Sequence, residues 1–358
     1  MSNSLILIPD ISGFTEFVHN TEITHSQHII SELLEIIIRT QKLGLEIAEI
    51  EGDAVLFYKE NGTFELESIL KQTELMFLKF HRHLKEYEQH RICNCGACST
   101  ATNLSLKFVI HYSEIGFTTI NNQKKPFGPG LVTVHRLLKN SLRSREYLLF
   151  TEELFQTMEN YKEPYDTWIK FKDGSDKYES LGTIKYKFID LTPLLTQVEK
   201  VEPLKLNNLN ENPLIFKGTV HRPIEFVYEM LSNLDYRLEW QQGVKEMRYE
   251  KNRVNRVGTK HLCVFTGNKI EFETISKAKE SDEMIYGEKM ENSLFNREIN
   301  VYYILENGGE ETRMKIEIHF DPTPVIGSLL LPLIKMQFKK AIIKSFKSLK
   351  NYCEKIRI

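Results

Sequence analysis

Apolar and polar positions alternate with two different periods along this chain, and the change of period divides it. Leu5-Ile6-Leu7-Ile8 is a short apolar run that predicts a strand, whereas Ile29, Ile30, Leu33, Leu34, Ile37 and Ile38 recur at helical spacing. Leu66, Ile69, Leu70, Phe77, Phe80, Leu84 and Tyr87 repeat that spacing, with Lys71, Lys79, Arg82 and Lys85 between them as the solvated side of a second long helix. Strands are expected at about 44 to 50 and 53 to 58, and again at 104 to 112 and 115 to 120, each pair forming a hairpin. From Thr192 to Pro213 the periodicity disappears into Asn207-Asn208-Leu209-Asn210-Glu211-Asn212-Pro213, which reads as a linker.

After the linker the period becomes two. A strand at about 214 to 220 and a helical stretch from Pro223 to Tyr236 precede five or six strands. Ile270 and Phe272 alternate with Glu271 and Glu273, and Met314, Ile316, Ile318 and Phe320 alternate with Lys315, Glu317 and His319. Asn307-Gly308-Gly309-Glu310 marks a hairpin. Half-apolar antiparallel strands need a cover for one face, and a C-terminal helix bearing Ile342, Phe346, Leu349, Cys353 and Ile356 supplies it. The expected class is α+β in two domains, residues 1–191 and 212–358, joined by a linker at 192–211.

Composition fits that division, since 358 residues exceed one ordinary core and suit two domains. A hydrophobic fraction of 41%, a charged fraction of 27% and a net charge of −2 describe a globular protein without the bulk positive charge of a nucleic-acid binder. The Leu5–Ile8 run is too short for a signal peptide and no run is long enough to span a membrane, so the sequence predicts a cytoplasmic protein. Val325-Ile326-Gly327-Ser328-Leu329-Leu330-Leu331-Pro332-Leu333-Ile334, followed by five lysines, is expected to be a buried helix entrance with a solvated face; membrane contact is the lesser alternative.

Two carboxylates stand where apolar runs stop. Asp10 follows the first strand, in Asp10-Ile11-Ser12-Gly13-Phe14-Thr15, and Asp53 sits in the Gly52-Asp53 turn of the next hairpin. Asp favours turns and caps on its own account, but two carboxylates brought together on adjacent strands need a shared proton or a hard cation. Mg²⁺ takes one or two carboxylates together with phosphate oxygens.

Those residues, in that order, resemble the catalytic domain of the class III nucleotidyl cyclases over roughly residues 4 to 190. The resemblance implies Mg²⁺ or Mn²⁺ on Asp10 and Asp53, with main-chain contacts from Ile11 and Phe14 and a nucleoside triphosphate as ligand. Glu49 matches the residue that reads the purine, Lys125 the second base-reading position, and Arg136 the arginine that contacts phosphate. Two family positions depart: Val132 stands for the ribose-binding Asn and Leu181 for the phosphate-binding Lys. A lost donor to developing charge typically costs about two to three powers of ten in rate, so binding without turnover is the expected state, with His135 and Lys139 as candidate compensators and an active cyclase as the alternative. The resemblance further implies a homodimer, in which Arg136 meets the aspartates only across the interface.

The second half resembles the START-like helix-grip superfamily of polyketide cyclases and lipid-transfer proteins, on element order, on Arg237-Leu238-Glu239-Trp240 before a strand, and on Gly258-Thr259 opening another. That implies a small apolar ligand or lipid between sheet and helix, and Trp240, Phe265, Phe272 and Met336 are the candidate cavity wall, each also an ordinary core residue by type. The pairing of both halves resembles a group of uncharacterised bacterial two-domain proteins.

Three of the five cysteines crowd into Cys93-Asn94-Cys95-Gly96-Ala97-Cys98. In a reducing compartment that spacing suits Zn²⁺, with His90, His83 or a second chain supplying a fourth ligand; a flexible Cys-rich turn is the equal alternative.

Overall fold

The structure is a computed structural model that describes residues 2–61, 64–158, 166–202, 212–277, 283–291, 296–322 and 326–356. They divide into two compact units: Met1–Glu88 with Cys95–Glu202, and Gln89–Asn94 with Pro203–Ile358.

In the first unit the elements run β1 (Ser2–Ser12), α1 (Phe14–Asn20), α2 (Ile23–Thr40), β2 (Glu46–Glu51), β3 (Ala54–Glu60), α3 (Leu66–His90), α4 (Gly96–Thr100), β4 (Ser105–Ile120), β5 (Gln123–Phe127), α5 (Pro129–Leu137), β6 (Tyr147–Thr151), α6 (Glu152–Gln156), β7 (Lys172–Tyr178) and β8 (Gly182–Asp190). The sheet order is β2-β3-β1-β4-β6-β8-β7, with β4 and β6 parallel and the other neighbours antiparallel. Leu5, Ile6, Leu7 and Ile8 are all essentially inaccessible, so central β1 is covered on both faces. Burying each such side chain contributes about 1.5–3 kcal/mol. Ile6 and Ile8 pack with Leu56, Val109, Val134 and Leu137, which seats α5 on one face of the sheet.

Two expectations need correction here. Residues 105–120 form one strand of 16 residues, not a hairpin of two, because neither Ser113 nor Glu114 is the Asn, Asp or Gly that a two-residue hairpin turn favours. The hairpin comes later, at Asn121 and Asn122, whose φ values of 48° and 61° are those Asn tolerates in a tight turn into β5. Thr192–Gln197, expected in the linker, is a 3-10 turn whose Leu194 is buried in the first unit, while 203–211 lies outside the described residues.

The second unit contains β9 (Leu214–Val220), α7 (Ile224–Ser232), α8 (Arg237–Trp240), β10 (Val244–Arg248), β11 (Lys260–Phe265), β12 (Asn268–Ile275), β13 (Glu283–Glu291), β14 (Asn296–Asn307), β15 (Thr312–Pro322) and α9 (Ile326–Lys355). Its seven strands are all antiparallel, in the order β10-β11-β12-β13-β14-β15-β9. α9 lies on β9, where Phe346 occupies the space a Cβ at Gly218 would fill, at 2.3 Å, so only glycine fits there. No helix among the described residues is long and apolar enough to cross a membrane. The start of α9 is not a buried entrance: Leu329, Leu333 and Met336 are exposed, and Val325 lies outside the described residues.

Candidate functional site

Strand register places the first site. Asp10 on β1 pairs with Ala54 of β3 on one side and with Lys107 of β4 on the other, and the Ile11 amide donates to the Asp53 carbonyl at 2.9 Å. Two glycines let the turns approach. Gly13 at φ 89° opens α1 and Gly52 at φ 52° makes the β2–β3 turn, with the Phe14 ring 3.7 Å from where a Gly52 Cβ would stand.

The electrostatics are those of crowded carboxylates. Burial raises the Asp10 pKa; Lys107, whose Nζ is 3.3 Å from Oδ1, opposes that, and Glu51 adds to it. Asp53 is pushed up to about 6, by burial and then by the Asp10 charge. Lys107 also donates to the Leu138 carbonyl at 3.1 Å, which fixes it between the strand and the end of α5.

Around these groups lies a cleft of about 920 Å³. Its wall includes Asp10, Ile11, Phe14, Asp53 and Lys107, and also His135, Arg136, Lys139, Arg143 and Arg145. Arg136 therefore lines the cleft of its own chain, whereas the sequence resemblance implied a meeting across an interface. The reason is local: Val134 and Leu137 are buried against the sheet, which leaves 135, 136 and 139 turned to the cleft. Arg143 and Arg145 were missed by the sequence reading, because no spacing relates that loop to Asp10.

Val132 is 48% exposed and offers no hydrogen bond to a ribose, and Leu181 packs against the core beside Tyr186. Glu49 and Lys125, the positions the resemblance implied would read a base, meet each other at 3.2 Å as an exposed ion pair. His135 reaches Glu51 at 3.5 Å.

A second cluster stands at the Cys-rich turn. One donor atom each from His25, Cys93, Cys95 and Cys98 lies within 4.8 Å of all the others, and a His/Cys₃ set of this kind could bind zinc. The fourth member is His25 of α2, not His90 or His83. His83 is held instead by Glu32 at 2.9 Å. Seventy residues separate His25 from Cys95, so no local spacing could have flagged it.

In the second unit a cavity of about 430 Å³ opens between β12, β13 and the N-terminal half of α9. Phe272, Met290, Ile299, Ile334 and Phe338 give it an apolar wall, and Lys260, Lys289, Glu271 and Glu291 a charged rim. Phe272 is where the sequence suggested. Trp240, Phe265 and Met336 are elsewhere. Trp240 is core, its indole N–H donating to the Met230 carbonyl at 2.9 Å; Phe265 packs on Leu234, Met247 and Cys263; Met336 faces outward. Deeper in the unit is a charged group that hydropathy did not suggest. Arg237 and Glu288 pair at 2.7 Å with both side chains 3% exposed, joined by Tyr286 at 2.7 Å and His261 at 3.4 Å.

Topology defines a two-unit α+β protein, a mixed sheet with helices packed on it followed by a seven-stranded antiparallel sheet with a long C-terminal helix. Residues 30–147 match a family model described as a protein of unknown function (DUF2652). The Uncharacterized protein Rv2561/Rv2562 of Mycobacterium tuberculosis (strain ATCC 25618 / H37Rv) is 27% identical over 162 residues, 45% of this chain and 73% of that protein. Among solved structures, a bacterial light-regulated adenylyl cyclase is similar at 15% identity and a TM-score of 0.40, over 55% of this chain and 55% of its own. TTHA0849 from Thermus thermophilus is similar at 17% identity and a TM-score of 0.32, over 40% of this chain and 97% of its own. This chain thus spans about half of the first of these structures.

Proposed function

We propose that the first unit is a nucleotide- and metal-binding module with weak or no turnover, and that the second binds a small apolar ligand, the two acting as a sensor. The observation that carries this is the cleft itself. Asp10 and Asp53 face Lys107, Arg136, Lys139, Arg143 and Arg145 in one cavity, which suits an anionic ligand that brings a cation with it. The donor set fits a hard divalent cation, because Asp53, pushed up by burial and by the Asp10 charge, and Asp10, pushed up by burial and by Glu51, are both relieved by positive charge. Asp10 and Asp53 would hold Mg²⁺ or Mn²⁺, which supplies Lewis-acid charge at phosphate oxygens when bound. The basic side chains bind and orient the phosphates, and Ile11, whose amide is tied to the β2–β3 turn, keeps the two aspartates in register.

Val132 and Leu181 argue against strong turnover, since neither can donate to ribose or to developing phosphate charge. Calorimetric titration with purine nucleoside triphosphates and Mg²⁺ tests the reading: binding should weaken in Asp10→Ala and Asp53→Ala, with the parent releasing little or no cyclic product. Unchanged affinity in both variants would move the site elsewhere.

A second reading, an active Mg²⁺-dependent purine nucleotide cyclase tuned by a hydrophobic ligand, is favoured by Arg136 in the cleft with the two aspartates. Incubation with each ribonucleoside triphosphate and Mg²⁺ or Mn²⁺ decides it by the presence or absence of cyclic product. For the second unit, the apolar wall of Phe272, Met290, Ile299, Ile334 and Phe338 supports a ligand small enough for about 430 Å³. A homodimer through the first unit belongs to the same proposal. Ile47, Ile50, Phe127 and Val132 are exposed on β2, β5 and α5, elements already tied by the Glu49–Lys125 and Glu51–His135 pairs.

A further inference from the structure

We propose that His25, Cys93, Cys95 and Cys98 hold one Zn²⁺ in a closed structural site, a role independent of what the cleft binds. The donor number and type come first. Three thiols and one imidazole complete a tetrahedron of the soft and borderline ligands zinc prefers, with no position left for a substrate. A catalytic zinc keeps one position open; this set does not.

Size is the second argument. Zn–S bonds of about 2.3 Å and Zn–N bonds of about 2.0–2.1 Å put tetrahedral ligands roughly 3.5–3.8 Å apart. His25 Nδ1 is 3.2 Å from Cys95 Sγ and 3.5 Å from Cys98 Sγ, and the whole set spans no more than 4.8 Å. The ligand atoms are thus gathered to within about 1 Å of tetrahedral spacing. Cys93 is two residues before Cys95, so chain connectivity keeps it at the same turn.

The surroundings favour thiolate. Cys98 N–H points at Cys95 Sγ at 3.4 Å, and the Tyr87 hydroxyl lies 3.1 Å from Cys98 Sγ, within reach to donate to it as a thiolate once metal is bound. The Glu22 carboxylate accepts from Gly96 N–H at 3.1 Å and Ala97 N–H at 3.0 Å, which ties the Cys turn to the start of α2 one turn before His25. Cys93 and Cys98 are buried, which shields the ligands from oxidants and competing chelators. Metal here would close a loop from α2 to α4, and binding to the native state alone adds to folding stability.

The test uses the full chain, purified without added metal. Elemental analysis should give about one Zn per chain, and Co²⁺ exchanged for it should show the intense visible bands of tetrahedral thiolate coordination. His25→Ala should weaken zinc binding at least tenfold, since even groups that only support a ligand cost about 10- to 100-fold. His25→Cys should retain one Zn with a shifted Co²⁺ spectrum, which separates loss of a ligand from failure to fold. Fewer than about a tenth of chains carrying zinc would overturn the proposal, given the affinities usual for such sites. So would a Cys–Cys disulfide in the native chain by mass spectrometry, a different metal in the site, or a Co²⁺ spectrum unchanged in His25→Ala.

Discussion

Lys107 Nζ and Asp10 Oδ1 lie 3.3 Å apart across the β1–β4 pair, so an ammonium already stands against the carboxylate that a divalent cation would need. Protein cation and metal compete for the same oxygen. Removing the ammonium should therefore raise metal affinity. In Lys107→Met, Mn²⁺ binding by calorimetry without nucleotide is expected to tighten a few-fold, the scale of about 1 kcal/mol for a partly accessible ion pair. Weaker Mn²⁺ binding in the variant would show that Lys107 helps to form the site.

Adding the donor that the resemblance implies at position 132 is the sharpest test of the cleft. Val132 is exposed on α5, so Val132→Asn should leave stability within about 0.5 kcal/mol. If Arg136 and the aspartates are already placed for chemistry, the new amide should raise cyclic product formation by roughly 10²–10³-fold over the parent. Tight nucleotide binding with no product in the variant would confine the cleft to binding.

How much of this was legible depended on whether the signal was local. β1, α2, α3 and the alternating strands of the second unit followed from periodicity, because a buried face imposes its spacing on the sequence. Asp10 and Asp53 were legible because strand ends and turns mark themselves with carboxylate and glycine. His25 was not, since its partners are some seventy residues away and meet it only when α2 lies against the Cys turn. Arg143 and Arg145 were hidden for the same reason. The hairpin at Asn121-Asn122 was legible and passed over: two asparagines suit the positive φ of a hairpin turn, which Ser113-Glu114 does not. Trp240 misled through its size, because a large aromatic suits a cavity wall and a core equally well.

The buried pair in the second unit predicts a pH dependence. Burial alone would raise the Glu288 pKa, but Arg237, followed by His261 and Tyr286, holds it down to about 2. A carboxyl depressed in the folded state contributes stability above its unfolded value near 4.5, and that contribution fades as pH falls from there towards 2. Urea unfolding followed by Trp240 in a Trp168→Phe background should show a steep acid loss across that window. Glu288→Gln should flatten the slope and, by leaving Arg237 buried without its anion, cost about 3–5 kcal/mol at pH 7. An unchanged acid slope in the variant would assign the loss to other carboxylates, Glu317 first among them.

The exposed apolar residues of the first unit predict its assembly. Phe127 is 72% exposed, Ile50 53% and Ile47 45%, on elements that also carry Glu49, Lys125 and Val132. Leaving such side chains wet forgoes about 25 cal/mol for each Å² that a second copy would cover, and two-fold pairing is the commonest way to cover a patch. Light scattering at micromolar concentration should give about twice the 42.0 kDa chain mass. Ile50→Asp and Phe127→Asp should each return the single-chain mass with an unchanged melting temperature for the isolated chain, because both side chains are already solvated within one copy. A parent that stays monomeric with and without nucleotide would leave the cleft complete in a single chain, with Arg136 and Asp10 acting on one ligand from the same subunit.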